Sequence, residues 1–277
     1  MPELPEIETV IRDMKNRGIR GCSISSVYTG WPAIISDRTP DSFSQFLRQS
    51  IIEDVTRRGK YIIMHLSGSK RMLIHLRMTG KLFFQPENYK PGKHDHVVFS
   101  LSDRRKLVFN DTRKFGRITL FSKDEDSPIS KLGPEPLNRE FTASQLASSL
   151  KTRSRQIKPL LLDQSFIAGL GNIYTDEALW DARIHPERLS KSIAPDEAEA
   201  LYKGIRTVLQ RGIKNCGTTL GKGRTNFYSV AGRRGRNADE LRVFRREGEP
   251  CPACGTPIKR ILVGQRGTHF CPNCQRL

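Results

Sequence analysis

The strongest constraint on folding lies in the last 27 residues, where Cys251-Pro-Ala-Cys254 and Cys271-Pro-Asn-Cys274 stand sixteen residues apart. So short a stretch has too few apolar side chains to close a core of its own. Two CxxC pairs at this spacing fold instead around one tetrahedral zinc ion. Four thiolates close the coordination shell, so the metal is structural and activates no water. A redox dithiol or a pair of disulfides is the competing reading. Between the pairs, Ile258 to Val263 and Thr268 to Phe270 read as two strands turning at Gly264-Gln265-Arg266-Gly267, with Arg266 at the hairpin tip. Cys22 and Cys216 stand alone, a distribution that favours metal over disulfides in a reducing compartment.

At 277 residues the chain can bury a substantial core and is long enough for two domains with a small appendage. The excess of 47 Lys and Arg over 29 Asp and Glu leaves a net charge of +18, which calls for a polyanionic partner. Nucleic acid leads and an anionic membrane surface trails. No apolar run approaches the roughly 20 residues of a membrane span. The N-terminus is acidic where a signal peptide needs a basic and then an apolar stretch. The expectation is a cytosolic protein.

The chain opens Met1-Pro2-Glu3-Leu4-Pro5-Glu6. A small second residue permits removal of the initiator methionine. Pro2 then carries a free secondary amine, partly unprotonated at neutral pH, beside the carboxyl of Glu3. Such an amine can attack a sugar or carbonyl carbon and form an iminium, as lysine amines do in Schiff-base enzymes. The plainer reading is that Pro2 and Pro5 only start a helix. That helix is legible: Ile7, Val10, Ile11 and Met14 recur at helical spacing, with Glu6 and Glu8 early and Lys15, Arg17 and Gly18 late.

From about residue 22 to 122 short β-rich runs alternate with turns: Ser23 to Thr29, Lys60 to Leu66, Met72 to Leu76, His96 to Leu101, Lys106 to Phe109 and Arg117 to Phe121. An α+β fold follows, with an antiparallel sandwich packed on the N-terminal helix. Lys131-Leu-Gly-Pro-Glu-Pro-Leu137 has a linker's composition. Helices are expected over Thr142 to Leu150, Pro159 to Phe166, Ile173 to Asp181 and Pro195 to Gln210. Residues 216–240 are glycine- and arginine-rich without periodicity and read as a mobile basic loop. In the segment from Gln164 to Glu177, Gly169-Leu-Gly171 joins two helices, with Asn172 opening the second. Backbone amides at such a place bind phosphate, and Arg153, Arg155 and Lys158 lie just upstream. The alternative is an ordinary helical hairpin with an Asn cap.

The chain resembles the formamidopyrimidine-DNA glycosylase family. The resemblance is carried by Pro2-Glu-Leu-Pro-Glu-Ile-Glu-Thr9, Arg58-Gly-Lys-Tyr61, His75-Leu-Arg-Met-Thr-Gly80, Lys93-His-Asp-His96, Leu132-Gly-Pro-Glu-Pro136, Gly169-Leu-Gly-Asn-Ile-Tyr174 and the zinc hairpin. It implies a catalytic β-sandwich over 1–130, a helix-two-turn-helix DNA-binding domain over 131–225, a basic loop and linker over 226–247 and a zinc finger over 248–277. Duplex DNA is expected in the cleft of a bilobed protein, with the damaged nucleotide flipped out. Pro2 is then the nucleophile and Glu3 the acid. Lys60 matches the lysine associated with β-elimination, and Arg266 the finger arginine associated with δ-elimination; both also suit phosphate.

By the same resemblance Met78, Arg113 and Phe115 form the wedge that fills the extruded base's place. Taken alone, Met78 and Phe115 read as core residues at strand ends. His94, Arg153, Lys158 and Asn172 fall on DNA contacts. The implied activity is a bifunctional glycosylase and AP lyase acting as a monomer on damaged double-stranded DNA in the bacterial cytoplasm, on 8-oxoguanine and formamidopyrimidines. An oxidised-pyrimidine preference of the endonuclease VIII type, or a catalytically silent zinc-finger DNA binder, are the alternatives. The family commonly reads Asp-Pro-Arg-Arg-Phe-Gly where this chain has Asp111-Thr-Arg-Lys-Phe-Gly116. It also departs over Gly221 to Arg236, where the family closes a loop over the flipped base.

Overall fold

The computed structural model describes residues 1–122, 129–221, 223 and 226–277. Of the basic loop read from the sequence, Lys222, Arg224 and Thr225 lie outside the described residues. The chain forms two compact units, one of residues 1–130 and 215–236, the other of 131–214 and 237–277.

The first unit begins with helix α1 (Leu4–Asn16), whose proline in the first turn costs no intrahelical bond. Strand β1 (Ile24–Thr29) and helix α2 (Pro40–Leu47) follow; Thr39 caps α2 by accepting the Ser42 amide. The remaining strands are β2 (Ile52–Arg58), β3 (Tyr61–Leu66), β4 (Lys70–His75), β5 (Lys81–Pro86), β6 (Asp95–Leu101), β7 (Arg105–Asn110) and β8 (Arg117–Ser122). They pair antiparallel into two sheets, β1-β6-β7-β5 and β2-β3-β4-β8. One core joins both sheets to α1 and α2 through Ile7, Met14, Phe43, Val55, Ile62, Phe99 and Phe109. The α+β sandwich read from alternation is therefore present. Strands β2 and β5 and helix α2 join the elements read from the sequence.

In the second unit helices α3 (Ala143–Lys151), α4 (Ile157–Leu162), α5 (Asn172–Asp181) and α6 (Pro195–Lys214) lead to a hairpin of β9 (Lys259–Val263) and β10 (Arg266–Phe270). The fourth helix buries Ala198, Leu201, Ile205, Val208 and Leu209, the face its periodicity marks. Helix α4 stops at Leu162, short of the expected Phe166. The Asp163 carboxylate turns the chain out by accepting both the Ser165 amide at 3.0 Å and its hydroxyl at 2.7 Å. The segment with linker composition is bonded down: Gly133 donates to Gln164 O, and Pro136 O accepts from Arg206 at 2.7 Å.

Residues 215–236 fold onto the first unit. Val230 joins its core, and Lys81 lies over the Tyr228 ring at 4.9 Å. A segment that composition marks as a loop is thus held by specific bonds at both ends, as the site geometry makes plain.

One buried titratable group ties this fold to pH. His75, at the end of β4, packs edge-on against Tyr61 with ring centroids 4.6 Å apart, and its Nδ1 accepts the Arg77 amide. Burial, with the cations of Arg77 and Lys60, pushes its pKa from 6.5 down to about 3. The folded state therefore holds it neutral while the unfolded chain takes up a proton below pH 6.5. Its contribution is complete above that value and is lost as pH falls toward the folded pKa. Unfolding free energies from denaturant titrations between about pH 7 and 4 should fall by up to about 1.4 kcal/mol per pH unit from this group. His75→Asn, which keeps an acceptor but cannot charge, should show a shallower slope than the parent; equal slopes would remove His75 as the source.

Candidate active site and nucleic-acid interface

Pro2 and Glu3 are both buried at the start of α1. Glu3 is the N-cap and forms a reciprocal box with Glu6: its carboxylate accepts the Glu6 amide, and Glu6 Oε2 accepts the Glu3 amide at 2.8 Å. The other Glu6 oxygen accepts the Thr218 amide at 2.7 Å. One carboxylate thus fixes both the chain start and the root of loop 215–236. Seven residues on, along the same helix face, Asp13 pairs with the Arg233 guanidinium and accepts the Ala231 amide at 3.2 Å. The loop is pinned to α1 at its outgoing and returning arms. Met1 is 51% exposed, so its removal uncovers the Pro2 nitrogen without breaking a core.

Lys60 follows Gly59, whose φ of +56° a side chain would strain, in the two-residue turn between β2 and β3. It is buried and acts electrostatically on His75, so the two occupy one neighbourhood.

Met78, Arg113 and Phe115 come from two loops and meet. The Arg113 guanidinium lies over the Phe115 ring at 4.6 Å and donates to Met78 Sδ at 3.3 Å. Met78 is 42% and Phe115 44% exposed, so neither is the core residue that its apolar character suggests. Beneath them Asp111 is fully buried and organises the loop. Its carboxylate accepts the Thr79 hydroxyl and the amides of Arg113, Phe115 and Gly116 at 2.8 to 3.1 Å. Four donors on one carboxylate impose the turn that a proline would otherwise pre-set. The main chain of Asp111 accepts from His96 Nε2 at 2.7 Å and donates to His94 O at 2.9 Å. A carbonyl only accepts, so His96 carries its proton on Nε2. His94 is half-buried beside this loop.

In the second unit Asn172 is the first residue of α5, with Gly171 as N-cap. Its amide donates to Gly267 O at 2.9 Å, and its buried Oδ1 finds no partner among the described residues. Gly267 follows Arg266, whose side chain is exposed at the start of β10. The hairpin turn is Gly264-Gln265, with φ of +54° and +61° at its two residues, since Val263 pairs with Arg266. Arg153 is exposed. Lys158 is not: it is fully buried, pairing with Asp176 at 2.6 Å and donating to Gly267 O at 3.1 Å. Its place is under the Asn172 and Arg266 surface rather than on it.

The sulfurs of Cys251, Cys254, Cys271 and Cys274 all lie within 4.8 Å of one another, with Cys254–Cys271 at 3.5 Å and Cys251–Cys274 at 3.9 Å. A tetrahedron with Zn–S bonds near 2.3 Å has sulfur–sulfur edges of roughly 3.8 Å, so the four ligands fit one zinc ion. The electrostatics agree. Hydrogen bonds from Thr256 and Asn273 draw the Cys254 thiol down to about 5, while burial and the neighbouring thiols push Cys274 up to about 12. A cation at the centre lets all four ionise.

The sequence reading missed Glu6, Asp13, Asp111, Asp176 and Glu177. Glu6 carried a local signal, the Glu3-x-x-Glu6 spacing of a capping box, and Asp111 another, an Asp placed just before the turn whose amides it accepts. Asp13, Asp176 and Glu177 act on partners distant in the sequence.

Comparison with known proteins agrees along the whole chain. Residues 1–118 match the formamidopyrimidine-DNA glycosylase N-terminal domain, 132–223 the formamidopyrimidine-DNA glycosylase H2TH domain, and 248–277 the zinc finger found in FPG and IleRS. Formamidopyrimidine-DNA glycosylases of Lactiplantibacillus plantarum and Protochlamydia amoebophila are 46% and 44% identical, each covering 100% of both chains. Among solved structures, a Lactococcus lactis FPG mutant in complex with Fapy-dG containing DNA superposes with a TM-score of 0.93 at 37% identity, covering 100% of both chains. MutM in complex with carbocyclic 8-oxo-G containing DNA does so with 0.91, also at 37% identity and full coverage. With family domains matched in order and relatives aligned from end to end, the chain belongs to the formamidopyrimidine-DNA glycosylase family.

Proposed function

We propose that this protein is a bifunctional DNA glycosylase and AP lyase of base-excision repair, removing oxidised purines such as 8-oxoguanine and formamidopyrimidines from duplex DNA. The observation that carries the reading is the full-length family match together with a buried Pro2-Glu3 start fixed by Glu6. It works as a monomer in the bacterial cytosol, on residues 1–130 as catalytic domain and on 131–225 and 248–277 as DNA-binding parts.

Once Met1 is removed, the Pro2 nitrogen attacks C1′ of the flipped nucleotide and the N-glycosidic bond breaks, the base leaving with the electron pair. Glu3 gives a proton to the ring oxygen as the sugar opens. The iminium so formed is charged whatever the pH, because the proline nitrogen has no proton to lose. It acidifies C2′, and loss of that proton expels the 3′ phosphate; a second elimination expels the 5′ phosphate. Hydrolysis of the imine frees Pro2. Lys60 and Arg266 are the cations assigned to the two eliminations, and both balance phosphate charge. His94, Arg153 and Asn172 contact the backbone, Lys158 holds Gly267 and Asp176 beside Asn172 from below, and Met78, Arg113 and Phe115 fill the gap in the stack. Cys251, Cys254, Cys271 and Cys274 would hold a zinc ion, which would cross-link the base of the hairpin that carries Arg266.

Borohydride should trap the protein covalently on a duplex bearing one oxidised purine. Pro2→Gly, confirmed by mass to lack Met1, should lose most trapping and excision while still binding the duplex. Its primary amine is less fixed, and its imine can lose the proton that sustains elimination. Parent-like excision by that variant would rule Pro2 out as nucleophile.

Phe115→Ala removes an exposed ring, so its unfolding free energy should stay within about 0.5 kcal/mol of the parent. Its kcat/KM on a duplex lesion should fall by about tenfold or more, since a helix unstacked without a filler loses a few kcal/mol. Unchanged kcat/KM would remove the wedge role.

A further inference from the structure

Helix α5 presents three polar side chains at four-residue steps, Asn172, Asp176 and Trp180, which share one face. Each reaches the metal module. Asn172 donates to Gly267 O at 2.9 Å, Asp176 accepts the His269 amide at 2.9 Å, and the Trp180 indole Nε1 donates to Cys251 Sγ at 3.4 Å. Beside them Glu177 accepts the amides of Arg242, Val243 and Phe244 at 2.9 to 3.0 Å. The module is therefore fastened along the whole length of α5. Trp180 also packs in the small apolar cluster of Val243, Cys251, Ile258 and Cys271.

The last contact of this row differs from the others because its acceptor is a candidate metal ligand. An indole nitrogen is a donor only, and that of the half-buried Trp180 finds its acceptor inside the module. It has taken a sulfur that is almost fully buried and becomes a thiolate when metal binds. The amide of Cys274 gives Cys271 such a bond from within the module, at 3.4 Å. Trp180 gives one from the helical part of the unit. Hydrogen bonds to coordinating sulfur and nitrogen hold ligands in place and set how strongly they bind the metal.

We propose that Trp180 is a positioning residue of the zinc centre, its indole N–H holding the Cys251 thiolate in place and thereby slowing metal loss. The helix that starts at Asn172 then ends on the metal's own ligand, so α5 supports the phosphate-facing residue and the metal together. The tetrahedral set alone would explain coordination. It leaves unexplained why a ligand sulfur is the acceptor of a side chain from a separate helix.

The test replaces Trp180 in the full-length, metal-loaded chain by β-(3-benzothienyl)alanine, which keeps the ring's shape and area but has sulfur in place of N–H. Circular dichroism checks the fold. Zinc transfer to an excess of a chromophoric chelator should be about tenfold faster or more than in the parent. In the cobalt(II)-substituted protein the sulfur-to-metal charge-transfer band should shift, because a thiolate without a donor is the stronger electron source. Trp180→Phe, should the isostere fold poorly, is expected to shift the same band. Parent-like release together with an unshifted band would overturn the proposal. Faster release with an unshifted band would assign the effect to packing and would overturn it equally.

Discussion

The ammonium of Lys158 and the carboxylate of Asp176 meet at 2.6 Å with neither side chain reaching solvent. Two charges in a low-dielectric interior are tolerable only if each is fully engaged, and losing one partner typically costs about 3–5 kcal/mol. Here the engagement is with the zinc hairpin. Lys158 also donates to Gly267 O, and the second Asp176 oxygen accepts the His269 amide, so both strand partners belong to β10. The ion pair therefore fixes β10 against α4 and α5. Arg266, one residue before Gly267, takes its place relative to Asn172 from this pair. Gly264 continues the contact at the turn, where an added Cβ would come within 2.9 Å of Pro159. A metal alone would hold the hairpin's shape; the buried charges hold its position.

The first unit answers a different demand. The nucleophile proposed for this chain, Pro2, exists only as a chain terminus and sits where chains ordinarily fray. Poor positioning is costly, since orientation supplies several kcal/mol of a barrier's reduction. The solution is to bury Pro2 and make the next residue the cap of a helix whose third residue grips it back. Glu6 then shares its carboxylate with the Thr218 amide, and Asp13 holds the returning arm of the same loop. Helix α1 is thus the common support of the Pro2-Glu3 terminus and of the loop rooted beside it. The proposed wedge follows the same logic on the surface. Asp111 satisfies four donors below so that Met78, Arg113 and Phe115 can stay exposed above.

Much of this was legible where the signal is short in sequence. The CxxC spacing announced the metal centre, the 3.6 periodicity the amphipathic faces of α1 and α6, and alternation with turn residues the antiparallel strands. The boundaries moved where a side chain intervened, as when Asp163 ended α4 at Leu162. For residues 131–137 and 216–240, glycine, proline and arginine mark an absence of long regular elements and say nothing about attachment. Among the described residues both segments are bonded down.

What the sequence determined by itself is therefore most of the elements, the four candidate metal ligands and the proposed reactive pair Pro2 and Glu3, since each rests on a short motif or a fixed spacing along the chain. Tertiary structure decided which polar groups lose water and which apolar ones keep it. Lys158, set among arginines in the chain, is buried because Asp176 and Gly267 arrive from 18 and 109 residues away. Met78 and Phe115, apolar and beside strands, stay exposed because the loops that carry them are held from beneath by Asp111. Burial is a property of what packs against a side chain, and its partners here are brought by the fold.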